Sequence, residues 1–594
     1  MNSLDLGMIG NCSFAALVDK AARVVWCCLP RFDGDAVFNA LMRNGTDPDA
    51  GAFSIELHRQ TSSEQSYAGN TAILKTRLHG EEGSIEITDF APRFYWRGRA
   101  FRPLTIVRRI RPISGSPRIR VKLRPTFGYG AEQPRLKRGS NHICYCGADM
   151  TLRLTTDAAI DYVLRETLFN LTEPVDFLLG PDETLEGGTR ETAREFEERT
   201  TDYWRSWSQR LALPLEWQEA VMRAAVTLKM CSYEETGAVI AAATTSIPEA
   251  PDSGRNWDYR FCWVRDAYFV VRALNSLAAV RTMENYFGWI MNVVASSNGG
   301  HIQPVFGVGL ETELTESIAG HLPGYRGMGP VRIGNQAYEH RQHDVYGNVV
   351  LGAAQVFFDS RMTRRRPALT DFWRLEQVGE QAYRIHDQPD AGMWELRTRA
   401  RIHTSSSLMC WAACDRLAKV AAHLGRRDRE TFWRGRAEEI RNKILDAAWS
   451  DKRRAFVESF GGEKLDASVL LMTEIGFLEP DHPRFVSTVE RISDVLADGA
   501  HVRRYEEPDD FGLPETAFNI CAFWRLDALA RMGRREEARE MFTDLLSYRN
   551  HVGLLSEDTD PRTGELWGNF PQTYSMVGII NSAMRLSKPW ESVV

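Results

Sequence analysis

Four stretches of this chain set carboxylates close to aromatic side chains. Asp390–Arg397 reads Asp-Ala-Gly-Met-Trp-Glu-Leu-Arg, with Trp394 directly before Glu395. Arg503-Arg504-Tyr505-Glu506-Glu507 runs into the Asp-rich segment Pro508–Gly512. Gly553-Leu-Leu-Ser-Glu557-Asp558 is followed by Gly564–Gln572, which holds Glu565 and Trp567. Asn256–Ala267 gathers two Trp, one Tyr, two Arg and two Asp. Carboxyl groups in such company suit the cleavage of a glycosidic bond. One carboxylic acid protonates the leaving oxygen, and a second carboxylate activates water on the opposite face or attacks directly. Sugar C–H faces pack on the rings, and a carboxylate with a guanidinium fixes the hydroxyls. Glu395 fits the acid, because an apolar neighbour such as Trp394 disfavours the ionised form. Glu557, between a short apolar run and a Gly/Asp turn, fits the base, with Glu565 as a nearby competitor. Taken singly, each Glu reads as an ordinary surface or capping residue, and only the joint pattern carries the chemistry. Asn256–Ala267 fits a sugar grip and a buried ion-pair network under a helix start equally well.

The elements that must position these groups change character along the chain. From Ile9 to Leu179 short runs such as Ala15–Val18, Val24–Leu29, Phe53–Leu57, Ile85–Phe90, Leu104–Ile110 and Ile119–Leu123 are bounded by Gly, Pro, Asp or Asn. Their alternation and spacing predict an antiparallel sandwich or barrel. Asp182–Arg210 is densely charged and carries Tyr203, Trp204 and Trp207, so we expect a linker helix clamped by its aromatics and closed by Pro214. Beyond Leu215 the period becomes helical. Helices are expected over Trp217–Met230, Ala267–Leu277, Val349–Phe358, Leu408–Leu424, Glu430–Trp449, Phe485–Leu496, Thr516–Met532 and Glu536–Ser547. Two of them end alike, at Gly425-Arg426-Arg427 and Gly533-Arg534-Arg535. This repeated hairpin points to stacked helix pairs in a ring or solenoid.

The chain has 594 residues, 43% hydrophobic and 26% charged, which allows two or three domains with large cores. A net charge of −6 argues against a general nucleic-acid binder, and the Arg364–Arg366 cluster reads as a solvated face. No apolar run reaches the ~18 residues of a membrane span, and Met1–Gly10 lacks the pattern of a secretory signal. The ten Cys are scattered. Cys144-x-Cys146 and Cys410-x3-Cys414 lack a second pair at zinc spacing, so we expect reduced, buried thiols, no metal and a cytoplasmic setting.

Several motifs resemble glycoside hydrolase family 15, the glucoamylase, glucodextranase and bacterial trehalase group. They are Ile9–Val18, Trp26–Asp33, Thr244–Ala250, Asn256–Asp266, His321–Arg326, Asp344–Gly347 and Gly568–Gln572, so the resemblance spans nearly the whole chain. It implies an N-terminal β-sandwich over residues 1–181, a helical linker over 182–214 and a C-terminal (α/α)6 barrel over 215–594. It implies inversion at the anomeric carbon without a cofactor. Glu395 falls at the family's general acid and Glu557 at its general base. Arg265 and Asp266 fall on the pair that grips the outer hydroxyls of the terminal glucose, Tyr259 and Trp263 line the same subsite, and Arg504 matches an arginine near the scissile bond. The chain departs from the pattern at Leu396, where fungal members have a second Glu. It departs again at Met576 after Ser575, where many bacterial members have His, and at Ser405–Ser407, where bacterial relatives often show a Lys. These changes bear on the substrate more than on the reaction.

The implied activity is an exo-acting α-glucoside hydrolase on a small glucoside, α,α-trehalose first and short maltooligosaccharides second. A disaccharide phosphorylase on a related barrel is the rival enzyme class, and a catalytically silent sugar-binding protein is the rival without chemistry. Neither a nucleic-acid nor a membrane partner is expected, and self-association stays open.

Overall fold

The computed structural model describes residues 3–45, 47–362 and 366–593. Arg364 and Arg365 of the basic cluster lie outside the described residues, and Arg366 is exposed. Two antiparallel sheets occupy the first part of the chain. One takes Leu6–Gly10, Ala15–Asp19, Val24–Leu29, Phe53–Leu57, Arg118–Leu123 and Phe169–Asn170 in that order, with Asp35–Phe38 pairing on Val24–Leu29. The other is eight-stranded and runs from Arg135–Arg138 at one edge to Gln60–Tyr67 at the other. Period-two alternation decides which face is covered: along Leu74–Gly80, Leu74, Thr76 and Leu78 are buried while Lys75 and Arg77 face outward. The sheets are joined by a buried cation. Arg108 pairs with Asp89 at 2.8 Å in its own sheet and donates to the Phe53 carbonyl of the other at 2.6 Å.

The charged segment forms the helix Thr189–Ser208, with Trp204 fully buried on its inner face. Thr200 accepts from the Arg93 backbone N–H at 3.1 Å. The Arg93 guanidinium reaches Glu234 at 2.5 Å, so the helix, the sheets and the following helical region meet at one buried ion pair.

After residue 215 the long elements are helices. Gln218–Met230, Val264–Ser276, Asp344–Phe358, Thr404–His423, Arg427–Ala447, Pro483–Leu496, Asn519–Arg531 and Arg535–Ser547 correspond to the expected ones. Val264–Ser276 packs on Asp344–Phe358, which packs on Thr404–His423. Farther on, Asn519–Arg531 packs on Thr573–Leu586, which returns to Val264–Ser276. Both repeated hairpins close on a left-handed glycine, Gly425 (φ +69°) and Gly533 (φ +86°). In each, the next residue donates back to the helix, Arg426 to Ala421 at 2.8 Å and Arg534 to Leu529 at 3.0 Å. The expected start at Thr516 moves to Asn519, because Ala517–Phe518 pairs as a strand with Asp558–Thr559. Helices Val280–Ser297, Leu369–Ile385 and Thr573–Leu586 were not foreseen. Their N-caps are Ala279, Ala368 and Gln572, and the eight expected helices likewise lack a Ser, Thr, Asp or Asn cap, so capping does not separate the two sets.

Among the described residues no helix is long and apolar enough to cross a membrane, and no group of His, Cys, Asp and Glu is placed to hold a metal. All ten cysteines are unpaired, and only Cys146 is not buried.

Candidate active site

Glu395, Glu557, Tyr259, Trp263, Arg265, Asp266, Trp394 and Arg504 all line one cavity, which holds about 890 Å³ of empty space including its mouth. Glu565 does not line it. That side chain is paired with Arg326 at 2.6 Å and is 40% exposed.

The stretch Asn256–Ala267 resolves into two halves with different work. Asp258 and Arg260 form a buried ion pair at 2.6 Å. Arg260 also donates to the Gly34 carbonyl at 2.8 Å and to Tyr129 at 3.0 Å, tying the stretch to the first sheets. From Trp263 onward the chain enters the helix Val264–Ser276, which puts Arg265 and Asp266 in its first turn, facing the cavity. Asp266 lies at the positive end of that helix. Arg265 stands between acceptors: Asp344 at 3.4 Å, Asp266 at 3.5 Å, Glu395 at 3.6 Å and Gln342 at 3.4 Å. Burial pushes Asp266 up to about 6, against the pull of Arg265 and with the push of Glu395 and Asp344.

Glu395 sits on a turn, closed by its own N–H to Gly392 at 3.2 Å and by Leu396 to Ala391 at 3.1 Å. Its φ is +62°, a left-handed backbone that a side-chain-bearing residue rarely adopts. Its carboxyl accepts from the Trp263 indole at 2.6 Å. A second aromatic thus joins the Trp394 that sequence placed beside this carboxyl. Trp394 points its N–H to Asp466 at 2.8 Å and packs edge-on with Tyr505 and Phe518, while still lining the cavity.

Glu557 lies at the start of a three-stranded sheet that pairs Ala517–Phe518, Asp558–Thr559 and Leu566–Trp567. It is 1% exposed. Tyr259 donates to Oε1 at 2.9 Å and Arg504 at 3.1 Å, while Oε2 is buried without a partner. The supporting rings of the two carboxyls, Tyr259 and Trp263, are themselves in edge contact at 5.3 Å. Gly568 backs the base candidate: a Cβ there would stand 2.6 Å from the Cβ of Glu557. Arg504 also meets Asp558 at 3.1 Å and Glu249 at 2.9 Å, so three carboxylates share one guanidinium. Burial, with Glu249 and Asp558 beside it, holds Glu557 well above the usual carboxylate range. Burial likewise raises Asp558 to about 7.

Sequence reasoning left several lining or supporting residues without a role. Glu249 and Asp344 stand inside motifs already noticed, Thr244–Ala250 and Asp344–Gly347, yet nothing in the linear order marks them as partners of Arg504 and Arg265. Arg255, Trp257, Asp509, Phe511 and Tyr574 also line the cavity and were not singled out.

A cavity that gathers two carboxyls among Trp, Tyr and Arg, in the mainly helical part of a chain that begins with antiparallel sheets, is that of a sugar-cleaving hydrolase. The chain belongs to the glycosyl hydrolases family 15, whose model matches residues 217–584; a trehalase-like N-terminal model matches residues 4–168. It is 33% identical to a trehalase of Mycolicibacterium smegmatis, over 99% of this chain and 91% of that protein. It is 30% identical to a trehalase of Thermoplasma volcanium, over 98% and 93%. Its fold is that of a bacterial glucoamylase crystallised with acarbose, with a TM-score of 0.70 at 12% identity over 98% of this chain and 94% of the other.

Proposed function

We propose that this protein is an inverting, exo-acting α-glucoside hydrolase whose main substrate is α,α-trehalose. The observation that carries the reading is that Glu395 and Glu557 share one cavity whose wall includes Arg265 and Asp266. In this scheme the terminal glucose enters until its outer hydroxyls meet Arg265 and Asp266, against the walls of Tyr259 and Trp263. Glu395 is the general acid: Oε1 is held by the Trp263 indole, leaving Oε2 to carry the proton to the glycosidic oxygen. Glu557 is the general base. Oε1 is fixed by Tyr259 and Arg504, and the unpartnered Oε2 takes a proton from the attacking water. Arg504 steadies the base, and Trp394 forms the wall on the side of the acid.

Trehalose is supported by the trehalase relatives. We further propose the division into a β-sandwich (1–181), a linker (182–214) and an (α/α)6 barrel (215–594), supported by the returning order of helix contacts. Ten unpaired cysteines support a reducing, cytoplasmic setting.

Glucose release from trehalose, maltose, isomaltose and maltotriose tests the reading, with the highest kcat/KM expected on trehalose. Inversion gives equal amounts of α- and β-glucose from trehalose in the first NMR spectra, whereas retention gives α-glucose alone. Maltotriose as the best substrate would move the assignment to maltooligosaccharides. Phosphate-dependent release of glucose 1-phosphate would move it to a phosphorylase.

A further inference from the structure

We propose that Glu507–Gly512 is a strap that closes the leaving-group side of the cavity after one sugar unit, with Asp510 as the latch between the strap and the loop that carries Glu395. The inference rests on the functional reading above, because it takes the side next to Glu395 as the leaving-group side.

The strap is a tight turn. Asp509 and Gly512 exchange backbone hydrogen bonds at 3.1 and 3.2 Å, and Phe511 N–H closes on the Asp509 carboxylate at 2.8 Å. It is fastened at both ends to different walls of the cavity. On one side Arg255, at the entry to the Asn256–Ala267 stretch, holds Asp509 with two bonds of 2.5 Å and donates to the Gly512 carbonyl at 2.8 Å. On the other side the loop after Glu395 holds it. Arg397 N–H donates to Asp510 at 2.7 Å, Thr398 Oγ1 donates to the same carboxylate, and Arg401 pairs with Glu507 at 2.7 Å. Charge-assisted bonds of this kind are the stronger and geometrically stricter ones.

Anchored to two separate loops, the segment bridges them. Asp509, Asp510 and Phe511 line the cavity together with Trp257 and Arg397, and Asp510, Phe511 and Gly512 are exposed, so the span lies at the cavity's mouth. Phe511 meets Trp257 edge-on at 5.3 Å, and the Arg397 guanidinium covers the same indole at 4.5 Å. These three side chains form one layer above the leaving-group position. The latch falls two residues from Glu395, so the same contact that closes the span also holds the turn of the acid, whose φ of +62° has to be kept by its surroundings. A substrate with a leaving group longer than one sugar must displace this layer, and displacing it disturbs the acid.

The test compares wild type with Asp510→Ala, and with Thr398→Val, which cuts the same latch from the other side. Each is assayed on trehalose, maltotriose and α-glucosyl fluoride. Fluoride departs without protonation, so that rate normalises each variant for an intact glucose pocket and base. The expected result is a rise of about tenfold in the ratio of kcat/KM for maltotriose over trehalose in Asp510→Ala. Thr398→Val should show a smaller rise of the same sign, and trehalose turnover should fall relative to fluoride turnover in both. A variant active on fluoride whose maltotriose-to-trehalose ratio stays within twofold of wild type overturns the strap alone. A wild type that releases glucose from neither trehalose nor maltotriose overturns the functional reading and the strap with it.

Discussion

The two carboxyls that share the cavity are held in opposite ways. Glu557 immediately precedes a strand of a small sheet, is 1% exposed, and has one oxygen gripped by Tyr259 and Arg504, while Gly568 leaves no room beside it for even a Cβ. Glu395 stands on an irregular turn with a left-handed backbone, its side chain is 22% exposed, and the loop beyond it is tied to the strap. The difference follows from what each proposed role requires. A base must place one small, invariant reactant, water, against one face of one sugar, and rigid burial serves that. An acid must meet an oxygen whose other substituent differs between substrates, so its loop is where the leaving group can be read. Burial has a cost on the base side. With three carboxylates around Arg504, the charged form of Glu557 is disfavoured, and the pH at which the base becomes active rises.

The sharpest test of this contrast replaces each carboxyl by its amide. Glu557→Gln should lower turnover of trehalose by roughly 10²–10⁴-fold and lower turnover of α-glucosyl fluoride as severely, because both reactions need the activated water. Glu395→Gln should cause a loss of similar order on trehalose, while fluoride hydrolysis falls by less than about tenfold, because fluoride needs no proton from the acid. Steady-state kinetics on the two substrates separate the roles. Equal losses on fluoride from both variants would break the assignment. Glu565→Gln should leave turnover within about twofold of wild type, since its Arg326 pair lies outside the cavity.

How much of this was visible in the linear sequence depends on the distance over which a residue finds its partner. Period-two and 3.6-residue patterning depend on local sequence, so the strands, the linker helix and eight long helices could be traced. Helices that start on Ala279, Ala368 and Gln572 escaped. Leu369–Ile385 is capped from inside, by Asp371 accepting the Ala368 N–H at 2.9 Å. Gln572 accepts from Ser575 at 2.6 Å, a capping use of Gln that sequence rules do not weight. The residues that line the cavity were singled out as members of motifs, but their partners were not. Tyr259 meets Glu557 across 298 positions and Trp263 meets Glu395 across 132. Adjacency in sequence put Trp394 and Glu395 in the same cavity wall but did not show that the indole N–H goes to Asp466. Asp509 and Asp510 stood in one of the four acidic, aromatic stretches, but their partners Arg255 and the Arg397 N–H are visible only in the fold.

A smaller intervention presses on the rigid side without touching a reacting group. Gly568 has φ +73°, and an added Cβ would lie 2.8 Å from the Oε2 of Glu557. Gly568→Ala should therefore tilt the base away from the water it serves and lower kcat by about 10–100-fold with little change in KM, since the Arg265–Asp266 end is untouched. On the acid side, Leu396→Ala trims a half-buried side chain of the cavity wall without pushing a new group against Glu395, and should stay within about threefold of wild type in kcat. Equal effects from the two would show that the base is no more tightly held than the acid.

The smallest expected effect is a displacement along the pH axis, and its sign follows from the charges around Arg504. In the proposed role of base Glu557 acts only when ionised, so activity should appear as pH rises through its pKa. Burial, Glu249 and Asp558 raise that pKa above the ordinary glutamate value of about 4.3, so the acidic limb of kcat/KM should lie above the pH at which an exposed Glu would place it. Asp558→Asn removes one of the negative neighbours and leaves more of Arg504 for Glu557, two changes that both favour the charged form. The limb should then move to lower pH by about one unit, which is about 1.4 kcal/mol of differential interaction. The basic limb should move by less. A limb that shifts upward, or two limbs that shift together, would mean that the two carboxyls are not electrostatically separate. The contrast between a charge-crowded base and an independently held acid would then fail.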